Sequence, residues 1–292
     1  MTGPDYGAVQ PTDSVPVCKN HSDRPSYVRC QRCGQPICPE CTRQAAVGVQ
    51  CSQCTQEGAR QVRTVRTVAG ATITDTRPLV TYWIIGLSVA TFLAQITLGW
   101  DQFTQHFVFA PFLGLDEPWR FVTAALLHST TRYFHILFNM WALWVVGSQL
   151  ELILGRARFI TLYVLSAIGG HVAVVLLASP VNESWFIPTL GASGAVFGLF
   201  GALVPVMKRV GADLRGIAVL IGINVVLGFI VPNISWQGHL GGLLTGVVLS
   251  VIYVRAPQEH KKKTAIIGSV TVAVLLITLA VVRYAVVGQL TS

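Results

Sequence analysis

Ser193 lies in the run Gly191-Ala192-Ser193-Gly194, and His239 directly follows Gly238. Each opens a strongly apolar stretch of the chain. Packing alone explains such residues poorly, because polar side chains inside a bilayer are costly and by default mark function. A hydroxyl beside an imidazole is an activated nucleophile. The pair therefore points to a serine protease whose active site lies below the membrane surface. His135 and Asn139 are four positions apart and share a helical face. Both side chains can donate hydrogen bonds to an oxyanion, as can the free N–H groups at the start of the helix near Ser193. Interhelical hydrogen bonding without catalysis is the plainer alternative for that second pair. Between residues 160 and 255 the only acids are Glu183 and Asp213, one in an outer loop and one in an inner loop. Glu151 falls at the far end of its segment from this site. No carboxylate is placed to complete a triad, so the residues favour a Ser193–His239 dyad with the ring oriented by packing. Phe197, one turn after Ser193, can stack on that ring; an ordinary core or lipid-facing role is the alternative.

These residues need apolar helices to carry them. The chain is 52% hydrophobic and only 12% charged, whereas a soluble domain carries about 25% charged residues. Seven segments have helical length: 79–99, 133–154, 158–179, 190–207, 216–234, 237–254 and 264–287. Each approaches the ~20 residues that cross a hydrocarbon core. Gly191, Gly194, Gly198 and Gly201 fall close to one helical stripe, and Gly238, Gly242 and Gly246 recur every four residues. Small residues so spaced let membrane helices approach closely, which would bring Ser193 within reach of His239. His128 and His171 also fall in or near apolar segments, and satisfied structural roles are expected for both. Residues 1–17 are polar and show no apolar signal-peptide core.

Basic residues set the expected orientation. Arg60, Arg63, Arg66 and Arg77 precede the first segment; Arg156 and Arg158 follow the second; Lys208, Arg209 and Arg215 follow the fourth; Arg255, Lys261, Lys262 and Lys263 follow the sixth. All fall on one side if the N-terminus is cytoplasmic and the C-terminus extracytoplasmic. Ser193, His239 and the His135/Asn139 pair then share one depth near the outer surface. The net charge of +8 is thus a topology signal, and no nucleic-acid partner is expected.

The N-terminal region carries a second chemistry. All seven cysteines lie between 18 and 54. With His21 they form four knuckles: Cys18/His21, Cys30/Cys33, Cys38/Cys41 and Cys51/Cys54. Eight ligands suffice for two tetrahedral zinc sites, and a reducing cytoplasm disfavours a disulfide framework. The short gap between the second and third knuckles makes sequential pairing awkward, although it does not exclude it. A cross-brace is expected, with Cys18, His21, Cys38 and Cys41 in one site and Cys30, Cys33, Cys51 and Cys54 in the other. So short a module buries little core, and metal would supply its folding energy.

Trp119-Arg120, His135 with Asn139, Glu151 with Gly155, Gly191-Ala192-Ser193-Gly194, and Gly238-His239 with Gly242 and Gly246 occur in the order seen in rhomboid intramembrane serine proteases, which this chain resembles over about 79–254. The resemblance implies Ser193 as nucleophile, His239 as general base, and His135, Asn139 and the Ser193 N–H as the oxyanion hole. It implies a membrane-dipping first loop over 100–132, no catalytic cofactor, and single-span membrane proteins in the lipid bilayer as substrates. The cysteine pattern resembles a B-box-like zinc finger with two structural zinc ions, which would recruit a cytoplasmic protein or a substrate tail. The expected architecture is an all-α polytopic membrane protein: a disordered 1–17, a zinc module at 18–54, a basic linker at 55–78, a six-helix core at 79–254, and a basic loop with a seventh membrane helix at 255–292. A catalytically silent rhomboid-like client-binding protein is one alternative. A small-solute transporter is another, weakened by the lack of visible inverted halves.

Overall fold

The computed structural model describes residues 15–61, 67, 69, 77–230 and 234–291. Residues 1–14, most of the expected basic linker and Ser292 lie outside the described residues. The chain divides into two compact units, Met1–Thr64 and Val65–Ser292.

The first unit holds two small antiparallel hairpins. β1 (Val17–Cys18) pairs with β2 (His21–Pro25), and β3 (Thr42–Gln44) pairs with β4 (Val49–Cys51). Helix α1 (Ser52–Gln61) follows, so regular structure continues past Cys54. Gly48, at φ +64°, turns the second hairpin in a conformation that glycine adopts freely. The buried centre is made of cysteines, with Ile37 the one fully buried aliphatic side chain among the described residues of this unit. That core is too small to hold the unit without cross-links or metal.

The second unit is helical. Its long helices are α2 (Leu79–Gly99), α3 (Tyr133–Leu154), α4 (Arg156–Leu177), α5 (Ser193–Val210), α6 (Arg215–Ile230), α7 (Trp236–Arg255) and α8 (Lys261–Thr291). Among the described residues six helices are long and apolar enough to cross a membrane. α6 has 16 described residues, and the expected fifth segment ran on to 234, past the described stretch. α3 carries a π-turn at Leu143–Gly147. Gly155, at φ +81°, breaks the chain sharply between α3 and α4.

Two caps fix where these helices begin and end. The Glu151 carboxylate accepts from the Val80 N–H at 3.0 Å and from the Thr81 N–H and hydroxyl, both at 2.8 Å. It thus satisfies otherwise orphaned donors and faces the positive end of the α2 dipole. At the end of α5, Gly211 takes the left-handed conformation and Ala212 N–H returns to the Met207 carbonyl at 3.0 Å, a Schellman-like stop.

The core sits among α3, α4, α5, α7 and α8. Glycine sets the closest crossing: a Cβ on Gly242 would overlap the Gly194 carbonyl, and one on Gly246 would overlap that of Gly198. Backbone therefore meets backbone between α5 and α7, as the stripes require. Between α2 and α3 the chain folds through short helical turns at Pro111–Leu113, Arg120–Thr123 and Ala124–Leu126. Arg120, only 4% exposed, organises them. It bonds Glu117 Oε2 through Nε at 2.8 Å and the Gln105 and Val108 carbonyls through Nη1 at 2.6 Å each.

Candidate active site and metal centres

Ser193 is the first residue of α5. Two residues earlier, Gly191 adopts φ +128°, a conformation L side chains rarely take, and its N–H donates to the Ala124 carbonyl at 2.9 Å. The start expected at 190 therefore falls at Ser193, because a helix cannot continue back through that dihedral. Gly191 has a second role. A Cβ there would lie 2.8 Å from His135 Cε1 and 2.9 Å from its Nε2. The absent side chain lets the imidazole reach the turn that leads into Ser193.

His135 lies in the first turn of α3. Its Nδ1 accepts from the Ser129 N–H at 3.3 Å. An accepting Nδ1 leaves the neutral ring's proton on Nε2, the nitrogen that faces Gly191. Asn139 lies one turn further in and is buried; its Nδ2 donates to the His135 carbonyl at 2.7 Å. A primary amide has two N–H groups, so this bond occupies one of them.

His239 lies in the first turn of α7, and its ring stacks on Phe197 with centroids 4.0 Å apart and planes 15° apart. Phe197 meets both expectations: it stacks on the ring and is also buried in the hydrophobic core. His239 Nδ1 is buried with no hydrogen-bond partner among the described residues. Among the described residues no carboxylate is hydrogen-bonded to this ring, and Phe197 is the aromatic ring stacked on it. Among the described residues no hydrogen bond joins Ser193 Oγ to His239. Catalytic hydrogen bonds in free enzymes are often long and tighten only around substrate.

His171 has the satisfied structural setting expected of it, but His128 departs from that expectation, because its Nε2 is buried with no hydrogen-bond partner among the described residues. His128 is fully buried. Its backbone is bracketed by the Gln95 amide, which accepts its N–H at 2.9 Å and donates to its carbonyl at 3.1 Å. His171 Nδ1 meets the Phe121 carbonyl at 2.9 Å, joining α4 to the loop after α2. Sequence reasoning passed over Gln95 and Glu117, whose roles depend on partners distant in the chain or specific to the loop's fold. It also passed over Arg283 and Tyr284 in α8, although an arginine within an apolar span was a visible signal.

In the first unit the eight ligands fall into two groups, Cys18, His21, Cys38 and Cys41, and Cys30, Cys33, Cys51 and Cys54. This is the cross-braced grouping. Within each group all ligand atoms lie within 4.8 Å of one another. His21 Nδ1 is 3.4 Å from the sulfurs of Cys38 and Cys41 and 3.8 Å from that of Cys18. Cys33 and Cys51 sulfurs are 3.9 Å apart. A tetrahedron with Zn–S of about 2.3 Å has edges of about 3.8 Å, so the donor sets fit zinc. Backbone N–H groups favour the thiolate at some of the ligands, Cys18 and Cys30 among them, whereas Cys41 and Cys54 are shifted the other way. The Cys38 N–H foremost, helped by that of Asn20, draws the Cys18 thiol down to about 6 against the opposing effect of burial. Burial pushes Cys30 up, but the N–H groups of Cys33, Cys51 and Arg32 outweigh it and bring that thiol to about 6. Two structural zinc ions would supply the cross-links that the small core lacks.

A polytopic helical membrane protein with serine and histidine at adjoining helix starts, joined to a two-zinc module, is the class that fold and sites define. Residues 115–256 match the rhomboid domain family, and residues 13–45 match the B-box zinc finger family. The chain is 33% identical over 229 residues to rhomboid protease GluP of Bacillus subtilis (strain 168), which covers 74% of this chain and 42% of GluP. It is 37% identical over 149 residues to YdcA of the same organism, covering 49% of this chain and 71% of YdcA. It is 35% identical over 149 residues to RHOMBOID-like protein 1 of Arabidopsis thaliana, covering 49% of this chain and 36% of that protein. The chain spans less than half the length of GluP. It belongs to the rhomboid family and is a multi-pass membrane protein with an N-terminal B-box zinc finger.

Proposed function

We propose that this protein is an intramembrane serine endopeptidase that cleaves single-span membrane proteins through a Ser193–His239 dyad. The observation that carries the proposal is the convergence of three helix starts. Ser193, the Phe197-stacked ring of His239, and His135 against Gly191 meet where α5, α7 and α3 begin. In the mechanism, His239 takes the Ser193 proton as Oγ attacks the scissile carbonyl, then returns it to the leaving amine. Water, activated by the same ring, releases the acyl group. The developing oxyanion is met by His135 Nε2–H, the second N–H of Asn139 and the Ser193 N–H, fixed donors that stabilise the transition state more than the substrate. Phe197 holds the ring in place of a carboxylate.

The exposed side chains of Trp100, Phe112, Leu115 and Trp119 support a loop over 100–132 that lies in the membrane interface. The charge clusters support a cytoplasmic N-terminus and an extracytoplasmic C-terminus. The domain reading is a zinc module over 18–54 with α1 continuing to Gln61, a protease core over 79–254 and a seventh helix within 255–292, while the expectations for residues 1–14 and most of the linker lie outside the described residues. The zinc module would recruit a cytoplasmic protein or a substrate tail. The alternative is a catalytically silent client-binding protein, against which the presence of both Ser193 and His239 weighs. A fluorophosphonate probe separates the two. The protease labels at Ser193, loses the label in Ser193→Ala and cleaves a model single-span substrate. A folded wild-type protein that neither labels nor cleaves would sink the proposal.

A further inference from the structure

The run of apolar residues in α8 is broken near its end by Arg283-Tyr284. A guanidinium in a membrane helix is costly and calls for partners, and here the partners are specific. Arg283 Nη2 donates to the Ala178 carbonyl at 2.8 Å and Nε to the Val175 carbonyl at 3.4 Å. These oxygens belong to the end of α4, where carbonyls lack intrahelical donors and the helix dipole is negative. The same guanidinium lies 6.0 Å from the centre of the Trp185 ring. Tyr284 donates its hydroxyl to the Pro111 carbonyl at 2.7 Å and meets Trp185 edge-on at 5.9 Å. Two adjacent residues of α8 thus hold the end of α4, the loop that follows it, and the loop that follows α2.

The loop after α4 carries the chain to Ser193, and the loop after α2 pairs with it. Phe109, two residues before Pro111, exchanges backbone hydrogen bonds with Thr189 in both directions, at 3.1 and 2.6 Å. Thr189 is two residues before Gly191, whose N–H is held by the Ala124 carbonyl. Phe109, Ala124, Val175, Ala178 and Trp185 pack in one buried cluster, and Tyr284 and Val287 of α8 complete it. A helix that served only as an anchor would need none of these polar contacts.

We propose that Arg283 and Tyr284 are positioning residues for the Ser193 chemistry, with the seventh helix clamping the two loops that set the Gly191 turn against His135. This inference rests on the protease reading above. Displacements of about 1 Å caused far from the reacting atoms can cost about a hundredfold. Tyr284→Phe, which removes only a hydroxyl, and Arg283→Met should slow fluorophosphonate labelling of Ser193 and lower kcat by about tenfold to a hundredfold. KM and the melting transition should stay near wild type. Replacing 265–291 with a generic leucine–alanine span should cause the same loss, and reinstating arginine at 283 and tyrosine at 284 in that span should recover most of it. A labelled wild type with unchanged labelling and kcat in both variants overturns the inference alone. So does full activity with the generic span, or a loss that merely tracks a lowered melting transition. A wild type that never labels at Ser193 overturns the protease reading and this inference with it.

Discussion

A dyad without a carboxylate must orient its imidazole by other means, and at the residue scale Phe197 is the group in contact with that ring. The stack at 4.0 Å and 15° fixes the plane of the ring. Aromatic pairs of this kind contribute about 0.5–1.5 kcal/mol beyond burial, which corresponds to about two- to tenfold in rate if it is lost in the transition state. Phe197→Leu, which keeps the apolar volume, should therefore lower kcat within that range and leave KM little changed. Steady-state kinetics on a single-span substrate checks this, and an unchanged kcat would show that the ring is held by something else. Asn139 is a sharper case, because its amide is divided between two tasks. One N–H is spent on the His135 carbonyl at 2.7 Å, which holds the other in a fixed direction. Asn139→Ala should lower kcat by about a hundredfold, the usual loss for one oxyanion donor, with a smaller effect on KM. A raised KM at full kcat would move Asn139 from oxyanion stabilisation to substrate binding.

At the scale of elements, the site exists because α5 and α7 touch through backbone. Gly246 faces the Gly198 carbonyl so closely that any Cβ must push the helices apart. Gly222, on α6, has nothing within 4 Å of an added Cβ. Gly246→Ala should destabilise by about 1–3 kcal/mol, as overpacking does, and should reduce labelling at Ser193. Gly222→Ala should be neutral or slightly stabilising, since alanine is the better helix former. Thermal unfolding of the two variants in detergent tests the contrast, and equal melting temperatures would remove the backbone crossing as a source of stability. This crossing was legible from sequence because the glycine stripes repeat at helical spacing, and repetition survives without knowledge of the partner. The cross-braced zinc grouping was legible for a related reason, since its chemistry leaves few ways to pair four knuckles. The start of α5 was not legible to the residue. Hydropathy runs smoothly through 190–193, and only the φ of Gly191 stops the helix. The contacts of Glu151 with α2 and of Tyr284 with Pro111 were hidden in the same way, because each joins residues distant in the chain through a backbone atom that has no sequence signature.

At the scale of the whole molecule two machines share one chain, and the question is whether the second is needed by the first. The zinc unit has its own centre of cysteines, and its metal sites draw every ligand from residues 18–54. Metal would therefore supply the cross-links that its small core lacks. The helical unit in turn caps α2 with its own Glu151 and packs its own core. This independence predicts a separation of functions. The excised 18–54 segment should bind about two equivalents of zinc, one per tetrahedral site, and should unfold with a chelator. Chelation of the full-length enzyme should leave fluorophosphonate labelling at Ser193 intact. Truncation after residue 60 should likewise preserve cleavage of a generic single-span substrate, while a natural substrate that is recruited through the module should be cut more slowly through a raised KM. A correctly inserted truncated enzyme that fails to label would make the zinc unit part of the catalytic apparatus and would refute the recruitment role.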